Sequence, residues 1–116
     1  MDVRYLAENR CFEGRLSDRV IGFAAVEALE PGVALLDHLW IKPAIQRRGV
    51  GRQLLAACMR AARESAILLR MYVDPPSESF YRHLGAGRVG EKPSRVPGGP
   101  VFPVTEFNLP EADGSW

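Results

Sequence analysis

Apolar positions recur along the chain in two patterns, one typical of strands and one typical of helices. Three apolar runs near the N-terminus are joined by short polar or Pro/Gly-containing segments, which predicts an antiparallel meander. The third run is almost continuously apolar, which favours burial on both faces of a sheet. These three predicted strands are Val3 to Phe12, Val20 to Leu29 and Val33 to Ile41.

The second half of the chain alternates predicted helices and strands. From Gly51 to Glu64, apolar residues repeat at steps of three and four, as in a helix that packs on a sheet. Pro103 predicts that the last strand is an edge strand or carries a bulge. The order β-β-β-α-β-α-β-β predicts an α/β (α+β) fold, a mixed central sheet with helices packed on it. Its remaining predicted elements are a strand from Ile67 to Val73, a helix from Ser77 to Leu84, and strands from Arg88 to Glu91 and Val101 to Leu109.

Composition and charge narrow the class of protein. The 116 residues fit a single domain, 1–116, and 47% of them are hydrophobic, which is ordinary for a globular protein. A net charge of +1 gives no reason to expect nucleic acid or a membrane surface as a partner. Cys11 and Cys58 form no C-x-x-C motif and have no metal-type spacing with His38 or His83, so we expect reduced thiols and no metal. No leader-like or membrane-spanning run is evident, so we expect a cytoplasmic protein.

A glycine-rich loop at the start of the long helix is the main candidate for chemistry. Gly49 and Gly51 let the backbone turn tightly into the helix, where N–H groups without helical partners can bind an anion. Arginines at positions 47, 48 and 52 add positive charge, which suits a pyrophosphate. The loop has no Walker A sequence, and Leu54 occupies the third glycine position of a dinucleotide-binding fingerprint.

Two segments of the chain resemble signatures of the GNAT superfamily of N-acetyltransferases. The first, Gln46-Arg47-Arg48-Gly49-Val50-Gly51, is similar to the acetyl-CoA loop [QR]-x-x-G-x-[GA], and the second, Asp74 to Ala86, is similar to D-P-N-A-x-x-F-Y-x-x-x-G-[FA]. The resemblance spans Val20 to Leu109 and departs at Pro76, where the second signature has Asn. The chain also resembles a short form that begins near the family's second strand, without the usual first strand and two helices.

The resemblance implies that acetyl-CoA lies where the third and fourth predicted strands separate. The backbone of the third strand would pair with the pantetheine arm, the glycine-rich loop would hold the pyrophosphate, and the second signature would line the other side of the arm. The residues implied in acetyl-CoA binding are Leu39, Trp40, Ile41, Gln46, Arg47, Arg48, Gly49, Val50, Gly51, Arg52, Asp74, Ser77, Phe80 and Tyr81.

Attack of an amine on a thioester needs a base for the amine and benefits from a proton donor for the leaving thiolate. The resemblance implies Tyr81 as the acid, while Asp37 and His38 are candidate bases because they lie on the third strand near the point of separation. Strand alternation predicts that these two side chains lie on opposite faces, so only one would face the substrate directly.

Other polar and aromatic side chains near this point have smaller predicted roles. Glu27 and Tyr72 are weaker candidates for the base. Phe80 is expected to pack in the core more than to contact a ligand. Trp40 is also expected to be a packing residue, with cofactor contact through its backbone alone.

Two functions follow from these patterns. The first is an acetyltransferase that moves an acetyl group from acetyl-CoA to a primary amine, and the alternative is a non-catalytic acetyl-CoA-binding module. The acceptor is open among small metabolite amines, aminoglycoside-like amines, peptide N-termini and lysine side chains. An uncovered first strand and exposed apolar sheet surface predict a homodimer. The alternative is a monomer whose first residues fold back over the surface that the usual helices would cover.

Overall fold

The computed structural model describes residues 2–6, 11–45 and 49–109. These residues form seven strands, two α-helices and two short 3₁₀ turns, and the turns lie at Pro43–Ile45 and Pro75–Ser77. The strands and helices are β1 (Asp2–Leu6), β2 (Cys11–Leu16), β3 (Arg19–Glu30), β4 (Gly32–Ile41), α1 (Val50–Ala62), β5 (Ala66–Tyr72), α2 (Glu78–His83), β6 (Gly87–Pro93) and β7 (Val101–Asn108).

All seven strands form one mixed sheet in the order β1-β2-β3-β4-β5-β7-β6. Strands β1 to β4 form the predicted antiparallel meander, and the only parallel pair among the described strands joins β4 to β5. This α+β class agrees with the prediction. The predicted first strand, Val3 to Phe12, is in fact part of two paired strands, β1 and β2, so the sheet has one strand more than predicted.

The position of β7 corrects the interpretation of Pro103. Strand β7 is not an edge strand, because it lies between β5 and β6, and the ladder irregularity falls on β6 between Arg88 and Gly90. In an antiparallel ladder the N–H and C=O of one residue point to the same side. The Pro103 carbonyl accepts a hydrogen bond from the Val73 N–H, just past the last β5–β7 pair. The missing N–H of the proline therefore lies where the ladder ends.

Both helices pack on the same face of the sheet, which we call the helix-covered face. The apolar stripe of α1 meets residues of β3, β4 and β5, as the helical spacing predicted, and Tyr81 of α2 joins the same core. Close approach of α1 to β3 depends on Gly22, since a Cβ there would lie 2.9 Å from Leu54 Cδ1 and 2.9 Å from the Trp40 carbonyl oxygen. The largest fully buried side chains of this core are Leu54, Leu69, Met71, Thr105 and Cys58.

The other face of the sheet, which we call the open face, has no helix over it among the described residues. Phe23 and Trp40 are opposite each other in the β3–β4 register and are 38% and 43% exposed. Arg70 crosses part of this face, and its Nε donates a hydrogen bond of 2.7 Å to Glu106. The open face therefore offers both aromatic and charged side chains to whatever contacts it.

Cys58 provides a test of the core. It is fully buried, and burial together with the nearby Cys11 raises the pKa of its thiol to about 12. Unfolding lets this thiol ionise at its ordinary pKa of about 8.5, so the unfolded state binds fewer protons above that pH. We expect the free energy of unfolding to fall as pH rises from 8.5, with a slope approaching ~1.4 kcal/mol per pH unit from this group alone.

Chemical denaturation between pH 7 and 10 measures this slope. Cys58→Ala should reduce the slope of unfolding free energy against pH in the range below pH 10, since tyrosines begin to contribute above that pH. The smaller side chain should also lower stability at every pH. A variant with the slope of the wild-type protein would contradict the assignment.

Candidate active site

The candidate site lies in a gap between β4 and β5. Their parallel pairing ends at Leu35 and Arg70; beyond it β4 remains paired with β3 and β5 with β7. Two cavities meet in this gap. One, of about 420 Å³, opens toward the start of α1, and the other, of about 200 Å³, lies between Asp37 and Asp74. Leu39 and Tyr81 line both cavities, so the gap joins the two.

The start of α1 supplies backbone donors to the larger cavity. Gly49 precedes the helix with a φ of +79°, a left-handed conformation that a side chain would strain, and its carbonyl accepts the first helical bond from the Gln53 N–H at 3.1 Å. The N–H groups between Val50 and Gln53 have no helical partner, because no carbonyl of the helix lies four residues before them. Gly49, Gly51 and Arg52 line the cavity, as predicted for an anion site. Residues 46–48, the other part of the predicted loop, lie outside the described residues.

The segment before α2 forms the opposite wall of the larger cavity. Pro76, Ser77 and Phe80 line it, while the Ser77 hydroxyl donates a hydrogen bond of 2.9 Å to the Asp74 carboxylate. We expected Phe80 to pack in the core, but this was wrong. Phe80 is 38% exposed, because α2 brings it over Gly51 instead of onto the sheet. The wall therefore carries the aromatic ring of Phe80, and it has a proline, Pro76, at the position where the resemblance implies an asparagine.

Tyr81 is the polar group shared by the two cavities. It is 8% exposed, and its ring meets that of Phe80 edge-on with 5.0 Å between centroids. Burial, the Asp74 carboxylate and Cys58, in that order, raise the pKa of the Tyr81 hydroxyl to about 12. The hydroxyl therefore stays protonated across the physiological range and can act as a donor in the gap.

A β-bulge in β4 corrects the prediction for Asp37 and His38. Ala25 pairs with His38 and Val26 pairs with Leu36, so Asp37 is the extra residue on β4. The bulge breaks the alternation, and the two side chains are not separated by the sheet. His38 Nε2 lies 3.3 Å from Asp37 Oδ2. Both residues line the smaller cavity and both are exposed, so the pair can reach a substrate together.

The bulge also sets which part of β4 faces the gap. The Lys42 N–H donates to the Ile21 carbonyl of β3 at 2.8 Å, so by alternation the backbone of Trp40 also points toward β3. The backbone groups of Leu39 and Ile41 then point toward the gap, and both residues line the larger cavity. Trp40 does not line that cavity; its side chain lies against Phe23 on the open face.

The weaker candidates separate in the structure. Tyr72 lines the smaller cavity, with Lys92 Nζ 4.2 Å from its ring centroid, whereas Glu27 borders a different cavity of about 460 Å³ near the end of α1. Sequence reasoning missed Met71 and Val73, which also line the smaller cavity and carried no polar signal. Within residues 2–6, 11–45 and 49–109, no group of three His, Cys, Asp or Glu side chains could hold a metal ion, and no helix could span a membrane.

Comparison with known proteins finds that most of the chain matches the model of one protein family. The model of the acetyltransferase (GNAT) family matches residues 2–86. An uncharacterised protein of Mycobacterium leprae is 32% identical over 92 residues, which are 75% of this chain and 26% of that protein. The chain thus spans about a quarter of the length of this curated relative.

Solved structures share the fold at low sequence identity. Ard1 from Thermoplasma volcanium superposes with a TM-score of 0.79 at 18% identity, over 88% of this chain and 72% of that one. The ribosomal-protein-S18-alanine N-acetyltransferase of Escherichia coli has a TM-score of 0.72 at 19% identity, over 97% and 74%. The PaiA N-acetyltransferase of Thermoplasma acidophilum, solved with coenzyme A, has a TM-score of 0.72 at 20% identity, over 84% and 59%.

Proposed function

Because the chain belongs to the GNAT acetyltransferase family, we propose that it transfers an acetyl group from acetyl-CoA to a primary amine by direct attack on the thioester. The observation that carries this proposal is the gap between β4 and β5, where two cavities meet and Tyr81 lines both of them. One side has the features of an anion-binding helix start, and the other has two polar side chains suited to accept a proton.

The residues of the larger cavity fit acetyl-CoA. Gly49 and the first turn of α1 offer N–H donors to the pyrophosphate, and Arg52 adds a positive charge. Residues 46–48 complete this loop in our proposal. The Leu39 carbonyl, which points toward the gap, can accept a hydrogen bond from an amide of the pantetheine arm, in the manner of an added strand, and Ile41 lines the same cavity.

The proton of the attacking amine goes to the Asp37–His38 pair, directly or through a water molecule. An alkyl amine has a pKa of about 10.4 in water and must be neutral to attack, so a base on this side is required. As the nitrogen bonds to the carbonyl carbon, negative charge develops on the carbonyl oxygen. The Leu39 N–H, which points toward the gap, is the donor that we assign to that oxygen.

Tyr81 stabilises the sulfur as the carbon–sulfur bond breaks. A thiol of pKa about 8.5 is a stronger acid than a phenol of pKa about 12, so complete transfer of the phenolic proton to the thiolate is unfavourable. The raised pKa therefore favours a hydrogen bond from the Tyr81 hydroxyl to the developing thiolate. The sulfur can acquire its proton from solvent after the acetyl group has moved.

A specific feature favours the alternative, a module that binds acetyl-CoA without turnover. Pro76 lines the larger cavity and has neither an amide side chain nor a backbone N–H to donate to the cofactor arm. Release of thiol from acetyl-CoA, measured against a panel of amines, separates the two functions. Turnover of at least one amine supports the enzyme, whereas saturable binding with no thiol release for any amine supports the module.

The anion site generates the first prediction for this function. Gly49→Val should remove the thermal stabilisation that acetyl-CoA gives the folded protein, because the new Cβ strains the left-handed turn that aims the N–H donors. Pantetheine without phosphates should stabilise the wild-type protein much less than acetyl-CoA.

The matched control for this variant is Gly98→Val, which strains a residue of similar φ, +74°, in the loop between β6 and β7. It should lower the melting temperature of the free protein but keep the shift. Equal shifts from acetyl-CoA and pantetheine would remove the anion-site argument.

Tyr81→Phe should lower kcat by roughly 10²-fold and change the affinity for acetyl-CoA little, because the ring stays and only the hydroxyl is lost. Steady-state kinetics and a binding titration measure the two effects. Tyr5→Phe, which removes a hydroxyl far from the gap, is the control and should leave kcat unchanged. Wild-type kcat in Tyr81→Phe would make Tyr81 structural.

We also propose a homodimer. Strand β1 lies at one edge of the sheet, and an uncovered edge can pair with another chain. Sedimentation equilibrium at micromolar concentration should then give twice the chain mass. A mass near 12.8 kDa at all concentrations would exclude the dimer and leave a monomer with an open acceptor site.

A further inference from the structure

Three aromatic side chains of the open face form a continuous surface, which we call the aromatic shelf: Phe23, His38 and Trp40. The ring centroids of Phe23 and Trp40 are 5.8 Å apart with an angle of 31° between planes, and Phe23 and His38 are 6.4 Å apart. The register places Phe23 opposite Trp40, and His38 precedes Trp40 by two residues on the same face. More than a third of Phe23 and of Trp40 is exposed, so the shelf has ring surface left to bury.

The shelf begins where the chemistry is proposed to occur. His38 belongs to the shelf and also lines the smaller cavity together with Asp37 and Tyr81. Alternate residues of a strand lie roughly 6.5 to 7 Å apart along it. A group resting on Trp40 and Phe23 is therefore about that far from an amine held beside His38.

Charge near the shelf favours a cation at one end alone. Asp37 and Asp74 line the smaller cavity, where an ammonium group would enter. At the far end, Glu13 lies opposite Phe23 in the β2–β3 register, but its carboxylate is paired with Arg15 NH1 at 3.1 Å. The shelf thus offers a negative group at the cavity and neutral ring faces beyond it.

We propose that the acceptor is a primary amine with an aromatic ring within roughly 7 Å of its nitrogen, and that this ring lies on Phe23 and Trp40. This inference rests on the proposed function. A free arylalkylamine and a peptide whose first residue is aromatic present the same chemistry. An aliphatic group of equal size covers the same area but lacks the ring-to-ring geometry that aromatic pairs favour.

Thiol release with matched amines tests the proposal. We expect kcat/KM for 2-phenylethylamine to exceed that for 2-cyclohexylethylamine by about threefold to tenfold, and that for butylamine by more. Phenylalanine amide and the dipeptide Phe-Gly distinguish the two sources. A preference for Phe-Gly over the free amines indicates a peptide, and the reverse order indicates a small arylalkylamine.

Variants locate the effect. Trp40→Ala should lower kcat/KM for 2-phenylethylamine about tenfold and change that for butylamine less than about twofold. Trp40→Phe should restore most of the loss, since it keeps a ring. Tyr5→Ala removes another exposed aromatic side chain, which lies in register with Phe12 on the helix-covered face, and should change neither amine. The thermal shift with acetyl-CoA should be the same in all three variants.

A second readout does not depend on turnover. The chain has two tryptophans, Trp40 and Trp116, so saturable fluorescence quenching by 2-phenylethylamine that disappears in Trp40→Phe places the ring at position 40. If no amine is turned over, the proposed function fails, and quenching still decides whether the shelf binds aromatic amines.

Three results would overturn the shelf proposal. The first is equal kcat/KM for aromatic and aliphatic amines when butylamine is turned over. The second is a loss in Trp40→Ala that is the same for both amines. The third is a Trp40→Ala protein that changes from dimer to monomer with its amine selectivity unchanged, which would make the shelf an interface between two copies.

Discussion

The separation of β4 from β5 is the constraint on which the site depends. The two strands pair in parallel from Gly32 to Leu35 on β4, and then each follows a different neighbour, β3 in one case and β7 in the other. Hydrogen bonds to β3 on one side and to β7 on the other therefore hold β4 and β5 apart. Because the gap is formed by strands fixed on their other sides, its width does not rely on a flexible loop.

The bulge at Asp37 lies close to this separation, and the two features act together. Before the bulge, Ala34 and Leu36 face the helix-covered core, and after it Leu39 and Ile41 do so. One extra residue therefore changes which backbone groups face the gap and also brings the Asp37 and His38 side chains together. A strand without the bulge would alternate regularly after Leu36, and it would place Asp37 and His38 on opposite faces of the sheet.

Much of the fold could be predicted from the sequence because local patterns determine it. The helical spacing of α1, the meander and the Gly49 turn follow from residue types at short range. The pairing of β1 with β2 is less evident, because the apolar residues from Val3 to Phe12 predict one strand and the polar run Glu8-Asn9-Arg10 is the one local sign of two. The insertion of β7 between β5 and β6 and the bulge at Asp37 depend on long-range pairing, for which a single sequence carries no signal.

The site could be predicted in part for the same reason. Motif positions such as Gly51, Ser77 and Tyr81 meet in the cavity because helix starts and strand ends fix them. Phe80 was misplaced because burial depends on where a six-residue helix lies, and apolar character alone does not determine that position. The relation of Asp37 to His38 was misjudged because alternation holds only for a regular strand.

An open sheet face has a consequence for selectivity. In a site enclosed by helices, the size and shape of the pocket can reject an acceptor, but the described residues place no such wall over Phe23 and Trp40. Discrimination then depends on attraction, through ring contacts and the carboxylates at the gap, more than on exclusion. Attraction of this kind separates acceptors by modest factors, since one apolar contact is worth only about 1 to 3 kcal/mol. Sharper selectivity requires a wall from outside these residues, and an open face leaves room for a second subunit or a further part of a longer chain to provide one.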